Sequence, residues 1–141
     1  LRVSAVPKDT VKYIWKDVER VLKKSVETAI GKMQMIDVLK GILDDTYVLW
    51  VVFEDDKIVA AFTTRIIEYP QRRSMALDWV GGSRMKEWLD IGMEKVVEFA
   101  VLNDCKHLEG YGRKAWGRAL EKHGFYPEYI AFRMEIENGQ R

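Results

Sequence analysis

Residues Tyr47 to Tyr69 read YVLWVVFEDDKIVAAFTTRIIEY, and this stretch decides the fold. Val48-Leu49-Trp50-Val51-Val52-Phe53 is apolar at every position. A strand with one wet face would alternate, so the run predicts a central strand covered on both sides. Asp55-Asp56 supplies turn chemistry, and Lys57 to Tyr69 returns as the partner strand of a hairpin. Pro70-Gln71-Arg72-Arg73 makes a second turn, after which Ser74 to Val80 reads as a third antiparallel strand. Gly81-Gly82 is read as the end of that strand.

Upstream, Leu1, Val3 and Ala5 alternate with polar residues until Pro7, a short half-buried strand. Asp9 or Thr10 stands where a helix cap belongs. Val11, Ile14, Trp15, Val18, Val21 and Leu22 recur at three- and four-residue steps, which predicts an amphipathic helix. Gly31 interrupts it, and Met35 to Leu43 predicts a second, shorter one. Downstream, Met85, Trp88, Leu89, Met93, Val96, Val97 and Ala100 form the longest helical stripe. Lys106 to Gly110 reads as a brief strand parallel to Ser74–Val80. Arg113 to Lys122 predicts a helix closed by His123-Gly124, with Gly124 in the left-handed cap position. Ile130, Phe132, Met134 and Ile136 alternate as a last strand. The order is β-α-α-β-β-β-α-β-α-β, an α/β (α+β) fold whose mixed, mainly antiparallel twisted sheet is flanked by helices.

The rest of the 141 residues narrows the class. No linker divides residues 1–136, which are expected to form a single domain, and 137–141 form a polar tail. Lys and Arg number 23 against 22 for Asp and Glu. That balance lacks the basic footprint of phosphate-backbone binding, so strong direct nucleic-acid binding is not expected. The single Cys105 cannot form an internal bridge. No apolar run approaches the ~20 residues that span a bilayer, and no basic-apolar signal segment opens the sequence. No membrane partner and no signal-peptide secretion are expected.

Cys105 and His107 are spaced like the start of a metal site, but no second Cys completes a closed four-ligand set, so no metal is expected. Trp50 and Trp79 lie on the meander as core residues. Trp88 and Trp116 sit on the flanking helices, where they either close a cleft or line a partner surface.

The element order resembles the GNAT (Gcn5-related N-acetyltransferase) fold, and Glu121-Lys122-His123-Gly124-Phe125 looks like that superfamily's E-K-x-G-F helix ending. The resemblance is closer to phage- and prophage-encoded GNAT-like proteins. Their GG…WL pair is similar to Gly81-Gly82 and Trp88-Leu89, and their G-C-x-x-[IL]-E-x-x-G-R-x-x-W stretch to Asp104 through Trp116, with Asp104 in place of the first Gly. The resemblance implies a diphosphate site for acetyl-CoA at the strand-to-helix junction Val80-Gly81-Gly82-Ser83-Arg84, where glycines and a helix N-terminus favour an anion. It also implies a partner or ligand cleft lined by Trp88, Arg113 and Trp116. Arg113 there either clamps a carboxylate or phosphate or pairs with an acid such as Glu109.

Two positions depart from the superfamily's pattern. The junction lacks the Arg/Gln-x-x-Gly-x-Gly/Ala spacing, and Leu120 falls where many members carry a proton-donating Tyr. These departures point to a catalytically degenerate phage protein in virion structure or assembly, binding other phage or host proteins in the host cytoplasm or the particle, with no cofactor. The alternative is an acetyl-CoA-dependent N-acetyltransferase with a non-standard diphosphate loop.

Overall fold

The computed structural model describes residues 1–112 and 116–136. They fall into two compact units, Leu1–Tyr111 and Gly112–Arg141.

The first unit holds β1 (Arg2–Val6), α1 (Val11–Glu27), α2 (Met35–Leu43), β2 (Val48–Glu54), β3 (Lys57–Glu68), β4 (Arg73–Gly82), α3 (Met85–Leu102) and β5 (His107–Gly110). The five strands form one sheet in the order β1-β2-β3-β4-β5. β1 to β4 pair antiparallel, and β5 lies parallel to β4 with Ser74 opposite His107 and Leu77 opposite Gly110. The expected hairpin forms, with Glu54 opposite Lys57 and Asp55 turning the chain at φ +55°.

β2 is covered on both faces, as its unbroken apolar run requires: Leu49, Trp50, Val51 and Val52 are all buried. On one face α1 and α2 set Val11, Val18, Leu22, Val26, Val38 and Ile42 against Leu49, Val51 and Ala61. Full burial of such side chains contributes about 1.5–3 kcal/mol each. On the other face α3 sets Trp88, Val96 and Ala100 against Trp50, Val52, Phe62 and Met75. Phe62 is stacked between Trp50 and Trp88, with ring centroids 5.7 Å apart on each side. α2 starts at a capping box in which the Gln34 N–H donates to Asp37 at 3.0 Å. Thr10 does not cap α1 with its side chain; its hydroxyl turns back to the Pro7 carbonyl at 2.8 Å.

Two expectations are corrected. Gly81-Gly82 does not break the strand after Val80: both glycines are paired within β4 as its last two residues, opposite Ala61 and Ala60. Packing explains their presence. A Cβ on Gly81 would come within 2.1 Å of the Val21 carbonyl oxygen, because α1 crosses β4 there. Gly82, at φ +112°, would place a Cβ 2.4 Å from the Val59 oxygen.

The last strand is the second correction. The second unit contains α4 (Gly117–Glu121), and residues 125–136 carry no strand. Ile130, Phe132, Met134 and Ile136 are all exposed, Phe132 at 91%. Alternation marks which side of a strand is apolar, but a strand forms only by pairing, and a five-residue helix offers no ladder. The end of α4 follows the sequence closely. Gly124 takes φ +89°, the Gly124 N–H bonds Glu121 O at 3.0 Å and the Phe125 N–H bonds Leu120 O at 3.2 Å, a Schellman closure.

Candidate functional site

The pairing of β4 with β5 stops at Leu77, yet β4 runs on to Gly82. Among the described residues, the 78–82 stretch therefore has β3 on one side and no strand on the other. It is also bulged. Phe62 faces Val80 and Thr64 faces Leu77, so Asp78 and Trp79 together oppose the single Thr63. An extra residue bends a strand and re-aims its backbone groups, which is why bulges gather beside active sites.

Asp78 turns to Arg65, which grips it in a planar fork, Nε to Oδ2 at 2.7 Å and Nη2 to Oδ1 at 3.1 Å. The Asp78 side chain is 11% exposed, so the guanidinium is what lets a carboxylate sit there. Thr63 Oγ1 and Trp79 Nε1 are buried beside the bulge without a protein partner among the described residues.

β4 then feeds α3. The Ser83 N–H donates to Val59 O at 2.9 Å, and Arg84 adopts φ +61° at the α3 N-cap. The first N–H groups of an 18-residue helix lack intrahelical partners and carry partial positive charge. Arg84 donates from Nε and Nη2 to Glu87, both at 2.9 Å, and from Nη1 and Nη2 to Glu54 at 3.0 and 3.4 Å. Hydrogen bonds from Arg84 hold both carboxyls below their ordinary range, and the pair of acids raises Arg84 in turn.

A second polar group lies where β3, β4 and β5 run together. Glu109 accepts from Ser74 Oγ at 2.6 Å and His107 Nε2 at 2.9 Å, and the Tyr69 hydroxyl sits 2.8 and 3.0 Å from its two oxygens. Burial opposes ionisation of Glu109, but these hydrogen bonds outweigh it and hold the carboxyl below its ordinary range. The same contact with Glu109, with some burial, raises Tyr69.

The sequence-derived residues divide accordingly. Val80, Gly81, Gly82, Ser83 and Arg84 come together at the β4–α3 junction, although both glycines are required by the chain's own packing. Trp88 is 4% exposed, closes the aromatic stack and donates to Ser83 O at 3.0 Å. Trp116 is the N-cap of α4 in the second unit, and Arg113 lies outside the described residues. Glu109 is engaged by Tyr69, Ser74 and His107. Burial pushes the Cys105 thiol up, the reverse of what a nucleophile needs. No three metal-ligating side chains converge among the described residues.

Sequence reasoning missed Asp78, Arg65, Glu54 and Glu87. The three-residue step from Arg84 to Glu87 is a readable helix pair. Glu54 reaches Arg84 only through the hairpin, 30 residues away.

No protein-family model matches the chain, and no curated protein matches it in sequence. Solved structures do match. A probable acetyltransferase superposes with a TM-score of 0.75 at 10% identity, over 97% of this chain and 99% of that one. A predicted acetyltransferase from Clostridium acetobutylicum, solved with acetyl-CoA, gives 0.68 at 13% identity over 95% of each chain. An aminoglycoside acetyltransferase from an uncultured soil metagenomic sample, solved with sisomicin, gives 0.68 at 10% over 96% of each. At these identities the likeness establishes the fold alone, which is the fold of these acetyltransferases.

Proposed function

We propose that the protein binds acetyl-CoA along the open edge of β4 and transfers the acetyl group to an amine. The observation that carries this reading is that β4 outruns β5, so its bulged 78–82 backbone ends in the N-terminus of α3. An extended chain containing amide groups pairs with such an edge as a strand would. A diphosphate at its end meets the first α3 N–H groups and Arg84.

The thioester supplies an activated acetyl carbon. A neutral amine attacks that carbon, the C–N bond forms, the C–S bond breaks and the thiolate leaves. This chain's part is to hold the thioester against the bulge, where backbone N–H groups polarise its carbonyl. In this reading the attacking nitrogen gives up its extra proton to solvent, and the thiolate takes a proton from solvent. Loss of one general acid slows such a step by ~10²–10⁴-fold without abolishing it. Fold likeness to a protein solved with acetyl-CoA supports the cofactor.

The test is thermal unfolding with acetyl-CoA, followed by a mass-spectrometric assay of acetyl transfer to a panel of primary amines. Ligand at about 100-fold over its dissociation constant stabilises by about 2.7 kcal/mol. An unmoved transition at millimolar acetyl-CoA overturns the reading.

A second reading keeps one observation on its side. Ile130, Phe132, Met134 and Ile136 are exposed in the second unit, a surface suited to a protein partner. A phage assembly role with phage or host partners is one form of it, and the comparisons give that form no support. Transfer activity with several amines would set this reading aside.

A further inference from the structure

The start of α3 carries a contact that works against the ligand proposed for it. Arg84 offers two planar N–H forks; Glu87 occupies the Nε/Nη2 fork and Glu54 the Nη1/Nη2 fork. Both forks are thereby occupied, one N–H of Nη1 being left over, and the side chain is 33% exposed. The three side chains sum to −1, one Arg against two Glu, so an incoming polyanion is drawn to Arg84 less than to a free guanidinium.

The two acids are not equivalent. Glu87 belongs to the first turn of α3, where a carboxylate is favoured by the helix dipole and lies three residues from Arg84. Glu54 arrives from another element, the last residue of β2, carried over by the tight Asp55-Asp56 turn. Its side chain is 50% exposed and nothing in α3 holds it there except Arg84.

We infer that Glu54 is a built-in competitor for anions at Arg84: its carboxylate fills the guanidinium fork that a diphosphate takes on binding, and the β2–β3 turn gives it up. The identity of the anion as acetyl-CoA rests on the reading above; the competition itself does not. The device sets a threshold for the ligand. A diphosphate offers more charge and more acceptor oxygens than one carboxylate and displaces it, whereas a singly charged anion does not.

The test measures binding by calorimetry with two probes, inorganic pyrophosphate and acetyl-CoA. The proteins are the full chain, Glu54→Gln, Arg84→Gln and the double variant. Glu54→Gln keeps the shape and removes the charge, and is expected to bind both probes about two- to fivefold more tightly, the scale of an exposed ion pair. In the Arg84→Gln background the same change is expected to yield no gain, since the cycle isolates the pair. Equal or weaker binding of both probes by Glu54→Gln overturns the competition and leaves the acetyl-CoA reading standing. A gain for pyrophosphate with no acetyl-CoA binding in any variant supports the competition and overturns the acetyl-CoA reading. Failure of every variant to bind either probe overturns both.

Discussion

The two halves of β4 are one strand in different circumstances. Arg73 to Leu77 has β3 on one side and β5 on the other, and its Ser74 and Met75 are fully buried. Asp78 to Gly82 has β3 alone among the described residues, carries the bulge and ends in two glycines. A strand edge is a standing invitation to pairing, and proteins either blunt it or use it. The bulge and the short reach of this edge blunt it against other strands, while leaving backbone donors at the mouth of α3. Polar groups around the first half tie strands together. Those around the second half sit where a ligand would lie.

The largest expected effect falls on Gly81, because the second half is also scaffold. Gly81→Ala sets a Cβ 2.1 Å from the Val21 carbonyl, a backbone atom with no rotamer to yield. We expect a loss of about 3 kcal/mol, the upper end of overpacking, read from urea midpoints. A loss below about 1 kcal/mol would show that α1 is not seated on β4 as described.

Next in size is the bulge itself. Arg65→Met strips the fork from Asp78 and leaves a nearly buried carboxylate alone. A fully buried pair broken this way loses 3–5 kcal/mol; with Arg65 a third exposed, about 2 kcal/mol is expected. Arg65→Met combined with Asp78→Leu should recover more than half of that, since the lone charge is gone. No recovery would mean that the pair shapes the bulge rather than neutralising a charge.

The contrast also marks how far the sequence is legible. The hairpin was readable because the apolar run of β2 admits no wet face and Asp55-Asp56 admits no strand. α3 was readable from its stripe, and the end of α4 from Gly124. The bulge was not, because Asp78-Trp79 contains neither Gly nor Pro and the extra residue exists only relative to Thr63. Gly81-Gly82 signalled a break, but the close crossing of α1 is what demands the glycines. The alternation from Ile130 to Ile136 signalled a strand whose pairing partner no local pattern supplies. Nothing local marks Glu54, because its pairing with Arg84, 30 residues on, depends on tertiary placement.

The smallest expected effect tests the first half of β4, through pH. Hydrogen bonds from Ser74, Tyr69 and His107 lower Glu109 in the folded chain relative to its unfolded value. A carboxyl depressed by folding contributes stability that is complete above the unfolded pKa and is lost as pH falls through the folded one. Ser74→Ala removes the shortest of these donors, at 2.6 Å, and so shrinks the depression. At pH 7 the variant should be less stable by about 1 kcal/mol, the low end for a hydrogen bond to a charged group. As pH drops below the carboxylate range both proteins carry a protonated Glu109, and the difference should fade. The check is denaturation at neutral and acid pH, with the Glu109 titration followed by NMR and expected to move upward in the variant. A loss of the same size at both pH values would mean that Ser74 serves packing alone. The Glu109 network would then stabilise the paired half of β4 through its geometry, independent of its charge.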